Sequence, residues 1–167
     1  AENLTRAQSL LTEVELEMRR VIYDLHPPVL DAMGLAVALR RFAATFTATF
    51  GADCQVQVAG RPRRVSKETE VAIYRIIQAA LHNVASHAQA KSARVGFDFG
   101  AAWLQAVIED DGIGFDPGTV INIPGEHLGL IGMKERAESL GAALTVTSSP
   151  GRGARIELRL PSPEYLD

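Results

Sequence analysis

The stretch IIQAALHNVASHA, residues 76–88, decides how this chain is read. It puts Gln78, His82, Asn83 and His87 on one expected helix. Such a set is a metal site, ordinary helix decoration, or one part of something completed further along the chain. The metal reading fails on spacing. His82 and His87 are five residues apart, so their side chains diverge by about 140° around a helix of 3.6 residues per turn. The zinc-binding helical pattern needs two histidines at i and i+4 with a Glu between them. Here the i, i+4 pair is Asn83 and His87, and no transition-metal site is expected.

The bulk properties exclude several classes. The chain has 167 residues, 47% of them hydrophobic and 22% charged, enough for a core and too apolar for a disordered chain. A formal net charge of −3 lacks the basic footprint of a nucleic-acid binder. The single cysteine, Cys54, allows no internal disulfide and no thiolate cluster, and is expected to be a small buried hydrophobe. No apolar run approaches the roughly 20 residues that span a bilayer. A soluble, cytoplasmic protein, or the cytoplasmic part of a larger sensor, is the expectation.

Working outward, the first 25 residues carry apolar positions Leu4, Ala7, Leu11, Val14, Met18, Val21 and Leu25, spaced alternately by three and four. That is a heptad seam, widened by Leu10, Leu16 and Ile22, and nothing later in the chain matches it. Pro27 and Pro28 break this helix. A second helix is predicted over 34–50, a strand in CQVQVAG, and a helix over 66–87 capped by Ser66. Strands are predicted in SARVGFDFG and WLQAVIED, then a glycine-bearing loop to about residue 128. A helix over 129–140 stops at Gly141, and ALTVTSS and ARIELRL close a hairpin across PGRG. The tail PSPEYLD is expected to be loose. Helices and mostly antiparallel strands in separate layers make an α+β, two-layer α/β sandwich.

Three glycine pairs follow the 76–88 helix. DDGIGFD ends a predicted strand with Asp110 and Asp111, then Gly112 and Gly114. HLGLIGMKERAESLGA opens a helix with Gly129 and Leu130, where free N–H groups and the helix dipole favour phosphate. SSPGRGARIEL sets Gly151 and Gly153 between two strands. Neither the P-loop nor the dinucleotide fingerprint is present.

In this order the pieces resemble the Bergerat ATP-binding fold shared by DNA gyrase, a heat-shock chaperone, mismatch-repair ATPases and sensor histidine kinases. Within it, LHPPVLDAMGLAVAL, AIYRIIQAALHNVASHA, EDDGIGFDP and HLGLIGMKERAESLGA are similar to the histidine kinases of the NarX/DesK subfamily. The resemblance covers residues from about 15 to 161. It implies a division into 1–27, the second helix of a dimerisation and phosphotransfer bundle; 28–161, the ATP-binding catalytic domain; and 162–167, a tail.

The same resemblance implies ATP and Mg²⁺ as ligands. Asn83 would hold Mg²⁺ bridging the phosphates. Asp110 would accept the adenine amino N–H, with Asp111 a solvated neighbour or a second polar contact. Gly112 and Gly114 would let the backbone pass close to the purine, and 115–128 would form a short lid. Gly129 and Leu130 would begin the helix facing the phosphates, Gly151 and Gly153 would line the adenine side, and His87 would be a polar contact. His82 and His127 are either solvated or nucleotide contacts, and Lys134 and Arg136 either helix solvation or phosphate contacts.

The chain departs from the family pattern in three places. Ala79 stands where the family has the Glu that acts as a general base in related ATPases, so hydrolysis should be weakened while Mg-ATP binding survives. Ala154 stands where Thr commonly follows the last glycine pair. The expected first bundle helix, with its phosphoacceptor histidine, has no counterpart here, and His26 falls at the bundle exit. The implied function is that of a histidine protein kinase of a two-component system, phosphorylating a histidine outside this chain and then a response regulator. A homodimer is expected in the full-length protein. The alternatives are a nucleotide-binding regulatory module without transfer, favoured by Ala79, and an interaction domain that has lost its nucleotide, opposed by Asn83, Asp110 and the glycine pairs.

Overall fold

A computed structural model of the chain describes residues 28–120, 128–161 and 163–166. The heptad segment 4–25, His26 and His127 lie outside the described residues. Helices α1 (Pro28–Met33) and α2 (Leu35–Phe50) are followed by strand β1 (Asp53–Ala59) and helix α3 (Lys67–Asn83). Helix α3 runs on into a π-helical turn, Val84–Ala88. Then come β2 (Ser92–Phe99), β3 (Trp103–Asp110), α4 (Pro117–Val120), α5 (Leu128–Ser139), β4 (Ala143–Ser148) and β5 (Ala154–Pro161).

The strands form one sheet in the order β1-β2-β3-β5-β4. β1 and β2 pair in parallel, from Asp53 opposite Ser92 to Ala59 opposite Asp98. A parallel pair needs a long crossover, and α3 with its π-helical turn supplies it. The remaining pairings are antiparallel. Alternation sends Leu104, Ala106 and Ile108 of β3, and Ile156 and Leu158 of β5, to one face. There they bury against Ile73, Ile76, Ile77 and Leu81 of α3 and Met133 and Ala137 of α5. The opposite face is polar: Arg155 bonds Glu109 and Glu157, and Arg159 lies 3.7 Å over the Trp103 ring. The result is the two-layer sandwich expected from the sequence.

Two short helices were not anticipated. Pro28 opens α1, because a proline at the first helical position loses no intrahelical bond. Gly34, at φ +76°, separates α1 from α2. The tail also differs from expectation. Tyr165 donates its hydroxyl to the Gly100 carbonyl (2.7 Å), its ring lies 4.0 Å under the Arg63 guanidinium, and the Leu166 N–H donates to Arg64 O (2.8 Å). An amphipathic tyrosine with a donor at its tip anchors a segment whose prolines and charges read as solvent-exposed.

Ser66 caps α3 as expected, its hydroxyl accepting from Thr69 N–H at 3.2 Å. One turn in, Glu70 is buried at 2% exposure and receives both Arg64 Nε (2.7 Å) and Nη2 (2.9 Å). Arg64 also donates to the carbonyls of Leu30 and Asp31. One guanidinium thus ties α1 and the loop after β1 to α3.

At the other end of the sheet the backbone is packed unusually close. A Cβ on Gly112 would sit 2.2 Å from Ala88 O, one on Gly114 2.2 Å from Ser149 O, and one on Gly153 2.0 Å from Asp110 O. Gly114 and Gly153 also have φ of +59° and +67°, a left-handed conformation costly to other L-residues. Hydrogen bonds run through the same contacts: Ile113 N–H to Ala88 O (2.8 Å) and Gly151 N–H to Ile113 O (2.6 Å). Ser148 Oγ accepts from Phe115 N–H (2.9 Å) and donates to Gly153 O (2.8 Å).

Two substitutions test these contacts. Arg64→Ala leaves the Glu70 carboxylate buried without its cation, and urea unfolding should show a loss of about 3–5 kcal/mol. Gly153→Ala adds a clash with backbone to the roughly 1–2 kcal/mol cost of a left-handed alanine. It should lower the melting temperature by more than a Gly151→Ala control, whose added Cβ meets nothing within 4 Å.

Candidate nucleotide-binding site

A cavity of about 260 Å³ lies between the end of α3, the ends of β3 and β5, the loop after β3 and the start of α5. Ala80, Val84 and Ala88 form its helix wall, and Ile108 and Ile156 its sheet wall. Ile113, Phe115 and Leu130 close the remaining sides. Into this apolar space come three polar side chains, Asn83, His87 and Asp110. An apolar cleft with a few convergent polar groups has the form of a small-molecule site.

The helix delivers its residues by period. Ala80, Asn83, Val84 and His87 fall at i, i+3, i+4 and i+7, one face of a helix. The turn Val84–Ala88 is π-helical and ends at Gln89 in the left-handed region, φ +51°. Such turns recur at functional sites because they re-aim side chains within a helix. Sequence periodicity anticipated the helix to residue 87 but not this change of pitch.

The two adjacent aspartates are separated by strand alternation. Asp110 continues the inward series Leu104, Ala106, Ile108, and so ends an apolar face with one carboxyl. Burial pushes its pKa above the usual carboxylate value, helped by the Asp111 charge, while the N–H groups of Gly112 and Ala154 pull the other way. The Gly112 N–H donates to Oδ1 at 2.8 Å. Asp111 is exposed and turned away. Its Oδ1 accepts from Lys91 N–H (2.8 Å) and Ser92 N–H (2.9 Å), and its Oδ2 from Ser92 Oγ (2.9 Å). The Ser92 bonds hold its pKa below the usual value. Asp111 is therefore a clamp between the end of β3 and the start of β2, a role not read from the sequence.

Of the residues singled out in the sequence, Asn83, His87, Asp110, Gly114 and Leu130 line the cavity. Gly112, Gly129, Gly151 and Gly153 do not line it but shape it. Gly129 brings α5 against Asn83, whose Oδ1 lies 3.2 Å from where its Cβ would be. Gly151 turns the chain at φ +78°. The resemblance assigned Gly112 and Gly114 to close approach of a purine and Gly153 to the adenine side; in the structure all three lie tight against the protein's own backbone.

His82 faces Ser86, with Nε2 3.3 Å from the hydroxyl, and is not part of the cavity. Arg136 folds back over Gly132 and borders a separate surface groove with Lys67 and Arg75, and Lys134 is exposed. Ala79 packs against the core outside the cavity lining, whereas Ala154 lines it beside Asp110. Cys54 is buried, its thiol pushed up to about 11 chiefly by burial, as a small hydrophobe would be. Among the described residues there is no group of three or more His, Cys, Asp or Glu able to hold a metal ion, and no helix is long and apolar enough to cross a membrane.

Comparison with known proteins meets the same fold. The family described as histidine kinase-, DNA gyrase B- and HSP90-like ATPase matches residues 68–164. The histidine-protein kinase/phosphatase DegS of Brevibacillus brevis is 33% identical over 145 residues, covering 87% of this chain and 37% of that protein. The oxygen sensor histidine kinase NreB of Staphylococcus carnosus is 29% identical over 160 residues, covering 96% and 46%. The chain thus spans less than half the length of either relative. Among solved structures, the histidine kinase domain of the blue-light activated kinase EL346 from Erythrobacter litoralis superimposes with a TM-score of 0.60 at 26% identity, covering 77% of this chain and 65% of that one. The ATP binding domain of PrrB from Mycobacterium tuberculosis shares the fold, with a TM-score of 0.58 at 24% identity, covering 77% and 94%. The chain belongs to the histidine kinase-, DNA gyrase B- and HSP90-like ATPase family, and the sensor histidine kinases are the members it resembles.

Proposed function

We propose that this chain is the catalytic ATP-binding part of a sensor histidine kinase and that the cavity takes the adenosine end of Mg-ATP. The observation that carries this is Asp110: one half-buried carboxyl at the base of an apolar slot, the acceptor an adenine amino group needs. The apolar walls, Ile113 and Leu130 among them, suit a purine. Asn83 is the residue to give an oxygen to Mg²⁺. A single amide fits that ion, which keeps waters and phosphate oxygens and rarely needs a full protein cage. His87 shares the Asn83 wall and is the polar contact next to it. Gly129 and Leu130 present the start of α5 towards the phosphates.

ATP supplies the phosphoryl group; the chain's own residues position it, which is most of what phosphoryl transfer requires. The acceptor is a histidine outside this chain, and an aspartate of a response regulator receives the group next. The boundaries follow: residues 1–27 belong to a dimerising bundle and 28–161 act as the nucleotide unit. Ala79 removes a general base without altering the cavity wall, so binding is retained and water attack is slow. Kinases among the relatives weigh against a purely regulatory module. Ala154 lacks the hydroxyl common at that position, which weakens nucleotide binding by about 0.5–1.5 kcal/mol if one ordinary hydrogen bond is lost.

Titration with a non-hydrolysable ATP analogue checks this assignment. Affinity should rise with Mg²⁺, and Asn83→Ala should remove the Mg²⁺ dependence. Asp110→Asn should cost about 1.5–3 kcal/mol, the worth of a hydrogen bond to a charged group, or roughly ten- to hundredfold in Kd. No binding at millimolar analogue would end the assignment.

The dependence on pH has a defined sign. The folded-state pKa of Asp110 is raised, so ionising it costs folding free energy. That cost is absent below the ordinary value of about 3.9 and complete once the pH passes the folded pKa. Nucleotide affinity runs the other way, because the carboxylate is the acceptor. Affinity should therefore fall on acidification at a higher pH than an unperturbed Asp would give, while Asp110→Asn keeps or raises the apo melting temperature near neutrality. Isothermal titration and thermal melts across pH 4–8 measure both (a range set around the ordinary carboxylate value).

A further inference from the structure

One hydroxyl joins two backbone stretches that meet beside Asp110. Ser148, the last residue of β4, is half-buried, and its Oγ accepts from the Phe115 N–H at 2.9 Å. The same group donates to the Gly153 carbonyl at 2.8 Å. A backbone N–H can only donate and a carbonyl can only accept, so the hydroxyl proton lies towards Gly153 and neither bond can reverse. Both capacities of the hydroxyl are used, and an alanine there would supply neither.

Strand alternation explains why a serine sits there. Leu144 and Val146 of β4 pack on the core, and the next position on that face is Ser148. Ser148 pairs with Ala154 of β5, and Glu109 opposite Arg155 brings Asp110 beside Ala154 on the other side. Ala154 has no polar side-chain atom, so the tie between Ser148 and Asp110 runs through backbone. The Gly153 carbonyl and the Ala154 N–H belong to one planar trans peptide and point in opposite directions. That N–H faces the Asp110 carboxyl, as does the Gly112 N–H. Gly153 is also pressed against Asp110, where an added Cβ would lie 2.0 Å from the carbonyl oxygen and 3.2 Å from Oδ1.

We propose that Ser148 is a positioning residue for adenine recognition: its hydroxyl holds the Gly153–Ala154 peptide, and that peptide sets the Asp110 carboxyl at the base of the cavity. The proposal builds on the assignment of Asp110 as acceptor of the adenine amino group. Holding the carbonyl fixes the direction of the N–H across the peptide plane. Hydrogen bonds in such a chain also polarise one another, by about 10–30% per bond. Phe115, which lines the cavity, is held by the same hydroxyl. The effect of Ser148 on the carboxyl is therefore to be separated from its effect on the apolar wall.

The β,γ-imido triphosphates of adenosine and of purine riboside differ only in the 6-amino group, and their Kd values on the full chain with Mg²⁺ make that separation. The wild-type protein should favour the adenosine form by about tenfold or more, as a hydrogen bond to a charged group gives. Ser148→Ala should cut that preference by about threefold or more, and Ser148→Thr, which keeps a hydroxyl, should restore it. In an Asp110→Asn background, adding Ser148→Ala should change adenosine affinity by less than about twofold, because coupled residues are not additive. If circular dichroism shows Ser148→Ala unfolded, Ser148→Cys takes its place, with a thiol that is a weaker donor and acceptor. Equal weakening of both nucleotides, as a purely structural role gives, overturns the proposal. So does an unchanged preference, or a full effect of Ser148→Ala in the Asp110→Asn background. A wild-type chain that binds both nucleotides alike overturns the assignment of Asp110 itself, and this proposal with it.

Discussion

Everything at the functional end of this domain depends on two stretches of backbone passing closer together than side chains permit. The end of β3 is wedged between the π-helical turn, which touches Gly112 at Ala88, and the β4–β5 turn, which touches Asp110 at Gly153. Steric exclusion, not attraction, sets this constraint: a methyl group at either glycine would overlap a carbonyl oxygen. Once those contacts are made, hydrogen bonds through Ile113, Gly151 and Ser148 lock the loop. The cavity is the space left between the locked loop and the apolar face of the helix layer.

Within that frame two neighbouring carboxyls do opposite things. Asp110 points inward with the apolar residues of its strand and carries a desolvation cost, partly offset by the N–H groups of Gly112 and Ala154. Asp111 points outward and is saturated by Lys91 and Ser92, tying the crossover from α3 back to the strand that carries Asp110. The pKa shifts follow that geometry, raised for one and lowered for the other. At the far end, the buried Glu70 and its Arg64 partner hold α1 and the loop after β1 to α3. The domain is thus secured at both ends by polar contacts across an apolar middle.

Much of this was legible in residue order. The alternation Leu104, Ala106, Ile108, Asp110 marks Asp110 as the polar end of a buried face, and the helical period aligns Ala80, Asn83 and His87. Both rest on local geometry, which repeats every two or 3.6 residues regardless of what the chain packs against. The glycine positions were legible too, but their reason was not. Their partners, Ala88 for Gly112 and Asp110 for Gly153, are distant in sequence or reached only across the sheet. The tail was misjudged for the same reason: the docking of Tyr165 needs Gly100 and Arg63, which composition cannot bring together.

The sequence by itself determined the strands and the long helices, their order and the two-layer class, which local periodicity and glycine punctuation encode. The candidate roles of Asn83, His87 and Asp110 came from the resemblance of their motifs to a known family. Only the tertiary structure decided that β1 and β2 run parallel, that α3 ends in a π-helical turn, and that Asp111 is a clamp rather than a ligand. It alone also showed that Ala79 lies outside the cavity wall while Ala154 lies within it. Each of these depends on which surfaces meet across the sheet and the helix layer. That is set by packing between residues far apart in the chain, where no local pattern carries the information.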